Sequence, residues 1–245
     1  MDEASGLARQ ICAYCENYRL PDIEEFLRQN RPQIQFLYPL KRSAVLGPFR
    51  EFYQRFYSSG PPRCLVFGIN PGRLGAGVTG IQFTDTIRLE KNCGIPWPGS
   101  RSRESSSEFI YSMIEEYGRR VGRSDVSAFF QNFLLQSLLP LGLVSSGGNR
   151  ARNFNFYDDK ELLDICREKI VRHIQTLLLW GCRRDLAFCL GSGTNLKVLR
   201  QLNHEFQFFA RIIALEHPRY VMQYKYKERQ LYIAKYCDHF CAALP

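Results

Sequence analysis

The 245-residue sequence lacks the features that mark several common classes of protein. It has no GxGxxG and no GxxxxGK followed by Ser or Thr, so the phosphate-binding loop of a nucleotide enzyme is not indicated. Its apolar runs, such as residues 177–180, are far too short to span a bilayer, and the chain does not begin with a basic segment followed by an apolar one. No linker rich in Pro, Ser or Gly divides it. We therefore expect a single domain over 1–245 that is neither secreted nor bound in a membrane.

Cysteine is plentiful, but it is not arranged as a disulfide framework or as a ligand set. Nine cysteines, an odd number, are scattered along the chain. Cys12 and Cys15 form a CxxC pair, yet no second CxxC follows, so two thiols on a helix are the favoured interpretation. Cys93 is a third candidate ligand without a fourth. We predict no metal site, and a reducing intracellular compartment: the cytoplasm or nucleoid of a bacterium, or the nucleus of a eukaryote.

The rest of the composition indicates a folded α/β protein. With 45% hydrophobic and 13% aromatic residues, the chain can bury one sizeable core. An N-terminal helical part at 1–58, broken at Pro21, is predicted to pack on a core at 60–245. In that core we predict strands at 64–67, 129–135, 185–190 and 208–215, helices at 104–121, 159–180, 194–202 and 221–243, and a loop at 142–155. Strands that alternate with helices imply a mainly parallel sheet with helices on both faces.

The most informative segment is the glycine-rich loop at 68–83, which follows the predicted strand at 64–67. Its glycines let a ligand approach the backbone closely, and Asn70 precedes a proline that fixes a tight turn. Asn132 lies in or just beyond the second predicted strand, and His217 ends the last one. Because ligands bind at the carboxyl ends of the strands in an open α/β sheet, we expect these three residues to converge there.

Each candidate side chain has a chemical use and an ordinary alternative. Pro218 biases His217 toward an extended conformation, so the imidazole can donate to a developing anion at the sheet's rim, although a histidine before proline is commonly a loop residue. Without further context, hydrogen bonds from the Asn132 amide to neighbouring backbone are the favoured interpretation; if the ligand is a nucleobase, the amide matches uracil, donating to O4 and accepting from N3–H. Phe83 can stack on a base, or it can belong to the core.

Taken in order, these residues resemble those of the uracil-DNA glycosylase superfamily. The matching features are Gly-Ile-Asn-Pro-Gly at 68–72, a Phe thirteen positions after that Asn, an Asn after an apolar aromatic run, and a late His-Pro. Segments at 144–149, 162–166 and 189–193 extend the likeness from about residue 60 to the C-terminal helix. The chain is most similar to the single-strand-selective monofunctional branch, because the mismatch-specific uracil/thymine branch typically lacks the histidine.

The resemblance implies a three-layer α/β/α sandwich around a short, mainly parallel sheet, with a catalytic core at 60–245. It implies hydrolysis of the N-glycosidic bond of a flipped-out uracil in DNA, without metal or cofactor. By the same resemblance, Asn70 would position the attacking water and His217 would hydrogen-bond O2 as charge leaves with the base. The implied substrate-binding residues are Ile69, Gly72, Phe83, Asn132 and His217. Asp85 could act as a base, but a solvated loop aspartate is favoured, and no lysine in either motif could form a Schiff base and cut the strand.

The formal charge of +9 favours a polyanionic partner, here single-stranded or double-stranded DNA, and no obligate protein partner is inferred. Basic and aromatic residues flank the proposed pocket on two sides. The expected DNA contacts are Ser146, Gly147, Asn149, Arg150, Arg152, Arg219, Tyr220 and Lys225. The family's usual His-Pro-Ser-Pro is replaced by His-Pro-Arg-Tyr at 217–220, so the wedge that enters a duplex departs from the family pattern.

Two other functions stay open. One is a non-catalytic module that binds damaged or single-stranded nucleic acid on the same fold, against which the retention of both Asn70 and His217 counts. The other is a hydrolase of free nucleotides or bases, which would have no use for basic flanks. The preferred base is open as well, among uracil, oxidised uracils and deaminated purines. Salt dependence separates the classes, because DNA affinity falls steeply with salt and turnover of a free nucleoside does not.

Overall fold

The computed structural model describes residues 6–146 and 151–244, which form seven strands and eleven α-helices. The strands are β1 Ile34–Leu37, β2 Cys64–Gly68, β3 Phe133–Ser137, β4 Gly142–Ser145, β5 Arg152–Phe154, β6 Leu186–Leu190 and β7 Arg211–Leu215. The helices are α1 Leu7–Asn17, α2 Pro21–Asn30, α3 Ser43–Tyr57, α4 Ala76–Thr79, α5 Thr86–Cys93, α6 Ser105–Arg120, α7 Ser127–Asn132, α8 Lys160–Leu179, α9 Thr194–Phe206, α10 Pro218–Tyr224 and α11 Arg229–Cys241. Short 3-10 helices cover Pro39–Lys41 and Tyr226–Glu228.

The central sheet has the strand order β3-β2-β6-β7, and all its neighbouring strands are parallel. Every residue of β2, β3 and β6 is buried, and nearly all are apolar. Such runs are typical of parallel strands that are covered on both faces. On one face, the Phe240 ring of α11 lies 4.7 Å from Phe133 and 4.6 Å from Phe188, measured between ring centroids. The predicted α/β fold, with a mainly parallel sheet flanked by helices, is confirmed.

A second, antiparallel sheet was not predicted. β4 pairs with β1 on one side and with β5 on the other. Both β4 and β5 lie in the segment interpreted as a loop at 142–155. They are only four and three residues long and partly exposed, so neither gives a readable alternation of apolar and polar residues. This small sheet brings Asn153 and Phe154 against the glycine-rich loop.

Two boundaries near the candidate site differ from the prediction. Residues Ser127–Asn132 form α7, and β3 begins only at Phe133. A short run of buried Phe and Leu residues has no periodicity that separates a helix from a strand, which is why the strand was placed too early. The predicted helix at 221–243 instead begins at Pro218 and is interrupted between α10 and α11. Because α7 includes Asn132, this residue precedes β3 and lies at the amino end of that strand.

The N-terminal helices agree with the prediction of a break at Pro21, which is the first residue of α2. Cys12 and Cys15 lie on α1, and burial raises the pKa of their thiols to about 11 and about 12, so both stay protonated near neutral pH. In residues 6–146 and 151–244, no His, Cys, Asp or Glu side chains cluster in threes as metal ligands would. None of the helices described is both long and apolar enough to cross a membrane.

Candidate active site

The carboxyl ends of β2, β3 and β7 surround a cavity of about 240 Å³. Asn70 lies two residues after β2, and His217 lies two residues after β7. Phe83 reaches the same cavity from the loop between α4 and α5, and Ile69 and Gly72 also line it. Five residues predicted from the sequence are therefore brought together at the edge of the sheet where ligands bind in α/β folds.

The small antiparallel sheet and the loop after it fix the Asn70 amide. Its Nδ2 donates to the carbonyl of Phe154 at 3.0 Å, and its Oδ1 accepts from the N–H of Phe156 at 3.3 Å. The neighbouring N–H of Arg73 donates to Oδ1 of Asn153 at 2.9 Å. The amide oxygen retains a lone pair and the amide nitrogen a second hydrogen, so Asn70 can still bind one more polar partner in a fixed orientation.

Phe83 has a strained backbone and a tightly constrained ring. Its φ of 55° lies in the left-handed region, which costs a bulky residue about 1–3 kcal/mol. A Cβ on Gly68 would lie 2.5 Å from Cζ of this ring, so only glycine at 68 leaves room for it. The centroids of the Phe83 ring and the His217 imidazole are 6.3 Å apart. The strain and the close packing hold an aromatic face beside the imidazole.

The His217 imidazole is neutral, and its hydrogen is on Nε2. His217 is the N-cap of α10, where its Nδ1 accepts a hydrogen bond from the N–H of Arg219 at 3.1 Å. Burial, and to a smaller extent the positive charge of Arg219, lower the pKa of His217 to about 3. Because Nδ1 is an acceptor, the neutral ring carries its proton on Nε2. The ring therefore offers one N–H donor in addition to its cap.

Asn132 does not reach this cavity, so the prediction that it reads the base is wrong. It ends α7, and its Nδ2 donates to the carbonyl of Ala128 at 3.0 Å. A strand rises by about 3.3 Å per residue, so Phe133, which follows Asn132, lies about 13 Å from Ser137 along β3. The physical reason is the extra helical turn of α7, which ends at Asn132 and leaves it at the opposite edge of the sheet.

The polar residues that line the cavity without having been predicted include Gln82, Ser137 and Glu104. Gln82 and Ser137 are both buried, and the Ser137 hydroxyl donates to Oε1 of Gln82 at 2.7 Å. Glu104 reaches the loop from the start of α6, and its carboxylate fills the space that a side chain on Gly72 or Gly75 would need. In the sequence, only Gln82 could have been indicated as a site residue, because it directly precedes Phe83.

The Glu104 carboxyl is partly buried beside the cavity. Burial raises its pKa, while the charge of Arg219 and a 3.3 Å hydrogen bond from the Ser107 hydroxyl oppose that shift. Asp85 is not the solvated loop residue that the sequence favoured, and it does not line the cavity. It is fully buried, and it accepts 2.8 Å hydrogen bonds from the N–H groups of Arg88, at the start of α5, and of Glu104. Asp85 is thus a cap that positions Glu104.

The rim of the cavity is formed by the segment that follows His217. Arg219, Tyr220 and Tyr224 line it, and the side chains of Tyr220 and Tyr224 are 44% and 67% exposed. Their ring centroids are 5.6 Å apart. Lys225 lies next to this pair and forms a 3.2 Å ion pair with Glu228. An exposed aromatic pair beside an arginine is a suitable surface for stacking on bases and contacting phosphate.

The other expected DNA contacts lie on the small sheet or outside the described residues. Ser146 is exposed, and both its N–H and its hydroxyl donate to the carbonyl of Gln33, at 2.8 and 3.1 Å. Arg152 is exposed at the start of β5. Neither residue lines the cavity. Of the expected DNA contacts, Gly147, Asn149 and Arg150 lie outside the described residues.

Comparison with known proteins assigns the chain to a family. Residues 55–241 match the family model described as the Uracil DNA glycosylase superfamily. No curated protein matches the sequence. A solved structure, the crystal structure of wild-type SMUG2 from Pedobacter heparinus, is 38% identical, with 97% of each chain covered and a TM-score of 0.86. The chain belongs to the uracil-DNA glycosylase superfamily, and the predicted resemblance to its single-strand-selective monofunctional branch is confirmed.

Proposed function

We propose that this protein hydrolyses the N-glycosidic bond of uracil that has been flipped out of DNA, leaving an abasic site. The observation that carries the proposal is the convergence of Asn70, Phe83 and a neutral His217 on one cavity in a member of this superfamily. A base inside a duplex cannot reach such a cavity, so the nucleotide must leave the stack before it reacts.

His217 stabilises the leaving group. Negative charge develops on uracil as the bond to the sugar breaks, and the Nε2–H of a neutral imidazole can donate to O2 at that stage. A fixed donor aimed at a developing anion accelerates reactions by about 10²- to 10³-fold. The Phe83 ring stacks on the base and holds it in the plane where this hydrogen bond forms.

Asn70 positions the water that attacks the sugar. Its amide is anchored on both sides by backbone groups, and each polar atom retains one free position for that water. An amide is a poor base, so most of the barrier must fall through stabilisation of the departing uracil anion. The cavity-lining residues in the described part of the chain include no lysine, which supports hydrolysis without cutting of the strand.

The test is single-turnover release of uracil from single-stranded and duplex oligonucleotides. We expect the wild-type protein to leave an alkali-sensitive site, and Asn70→Ala and His217→Ala to react much more slowly. His204→Ala, on the exposed side of α9, is the matched control and should react at the wild-type rate. Binding of the oligonucleotide without release of any base would instead support a non-catalytic module, and cleavage of free deoxyuridine alone would support a nucleoside hydrolase.

A further inference from the structure

Two buried polar side chains from different elements meet in the cavity and have no role in the chemistry described above. Gln82 precedes Phe83 in the loop after α4, and Ser137 is the last residue of β3. Their exposed fractions are 7% and 2%, yet both line the same cavity as Asn70 and His217. Buried polar groups need hydrogen-bond partners, so a pair that borders a ligand cavity calls for an explanation.

The hydrogen bond between them orients the Gln82 amide. The Ser137 hydroxyl donates to Oε1 of Gln82 at 2.7 Å, so the amide oxygen lies on the side of the strand and the amide nitrogen on the other side. The Nε2 of Gln82 forms no hydrogen bond with any group in residues 6–146 or 151–244, and it is not sealed from the cavity. The arrangement therefore presents an N–H donor, rather than an acceptor, to a base beside Phe83.

We infer that Gln82, oriented by Ser137, selects bases that carry an exocyclic oxygen where cytosine and adenine carry an amine. O4 of uracil accepts from an N–H donor, whereas the N4 amine of cytosine would oppose it with another donor. Two opposed donors in a closed site leave both groups without a partner. The pair thus detects the atom that deamination changes. The inference rests on the proposed function, because it requires the base to enter this cavity.

The contact has a defined limit. Thymine carries the same O4 oxygen as uracil, so Gln82 does not separate these two bases. The role of Gln82 is selection against normal cytosine. The sequence had suggested Asn132 for this role, whereas Gln82 lies next to the stacking residue Phe83. Ser137 acts through Gln82 and is a positioning residue.

The experiment compares release of uracil with release of 2-pyrimidinone, which lacks O4 and the N3 hydrogen, from otherwise identical single-stranded oligonucleotides. The intrinsic reactivities of the two bases differ, but this difference cancels when the rate ratio of a variant is divided by that of the wild type. In Gln82→Leu we expect the preference for uracil to fall by about 10- to 100-fold, the effect of one buried hydrogen bond. Gln201→Leu, at an exposed position on α9, is the control and should keep the wild-type ratio.

Variants at Ser137 test the orienting hydrogen bond and keep the test valid if Gln82→Leu does not fold. Ser137→Ala should lower the uracil preference by a smaller factor than Gln82→Leu does. Ser137→Thr keeps the hydroxyl and should keep the wild-type preference. An unchanged ratio in Gln82→Leu, or in both Ser137 variants, refutes the inference while uracil release by the wild type stands. Failure of the wild type to release uracil at all refutes the proposed function itself.

Discussion

Two substitutions of His217 should separate its role as a helix cap from its role as a hydrogen-bond donor to the base. The residue caps α10 through Nδ1 and, in our proposal, donates to the base through Nε2. Asparagine is a good N-cap, so His217→Asn keeps an acceptor for the Arg219 N–H but is too short to place a donor where Nε2 lies. His217→Ala removes both functions and should also cost about 1 kcal/mol of folding stability through loss of the cap.

The expected kinetic effect is large and equal in the two variants. Loss of one fixed donor to a developing anion lowers rates by about 10²- to 10³-fold, or about 2.7–4 kcal/mol in transition-state stabilisation. Substrate binding should change little, because the charge that His217 stabilises appears only as the bond breaks. The wild-type rate should also show no loss from protonation of His217 as the pH falls through 6.5, since a pKa of about 3 keeps the imidazole neutral.

The assay is single-turnover uracil release with enzyme in excess, measured between pH 5.5 and 8 alongside thermal unfolding of each variant. The reasoning would be refuted by a His217→Asn variant that reacts at the wild-type rate. It would equally be refuted if both variants bound substrate poorly and reacted normally once bound, because His217 would then act on the ground state.

Three further predictions concern stability, the loop and the rim. Burial lowers the pKa of His173 to about 3, so only the unfolded chain takes up this proton below pH 6.5. The contribution of His173 to the free energy of unfolding should therefore fall by about 1.4 kcal/mol per pH unit between about pH 5.5 and 4. Urea titrations of His173→Phe should show a fall that is shallower by this amount, while the similar contribution of His217 remains. Gly75→Ala should lower the free energy of unfolding by about 1 kcal/mol, the low end of the range for overpacking, because the added methyl displaces the Glu104 carboxylate at the end of a flexible side chain. The double variant with Glu104→Ala should recover part of that loss in thermal unfolding, and additive effects would contradict the contact. Replacing Arg219 with Gly and Tyr220 with Ala should slow uracil release more on duplex than on single strands at matched salt, as expected of a wedge, whereas equal losses would indicate phosphate contacts or scaffold.

The sequence was sufficient to predict the central sheet and the residues that follow its strands. Asn70 and His217 could be placed because each lies two residues after an apolar strand, and parallel strands bring their carboxyl ends to one edge. Phe83 could be added because it closes a glycine-rich loop that begins at one of these strands. These inferences need only local patterns and the geometry of a parallel sheet.

The residues that were misplaced or missed depend on contacts between distant parts of the chain. Asn132 was assigned to the wrong edge because its apolar neighbours fit a helix as well as a strand, and only packing decides between them. The Gln82–Ser137 hydrogen bond joins residues 55 positions apart, and no local pattern reveals it. Glu104 likewise comes from the start of α6 to fill the space left by glycines in another loop.

The central claim is that uracil binds between Phe83 and His217 at the edge of the sheet. It is tested most directly by a crystal structure of the Asn70→Ala variant bound to a single-stranded oligonucleotide that contains uracil. We expect uracil outside the base stack, against the Phe83 ring, with O2 about 3 Å from Nε2 of His217. A uracil that remains stacked in the strand, or that binds away from these two side chains, would contradict it.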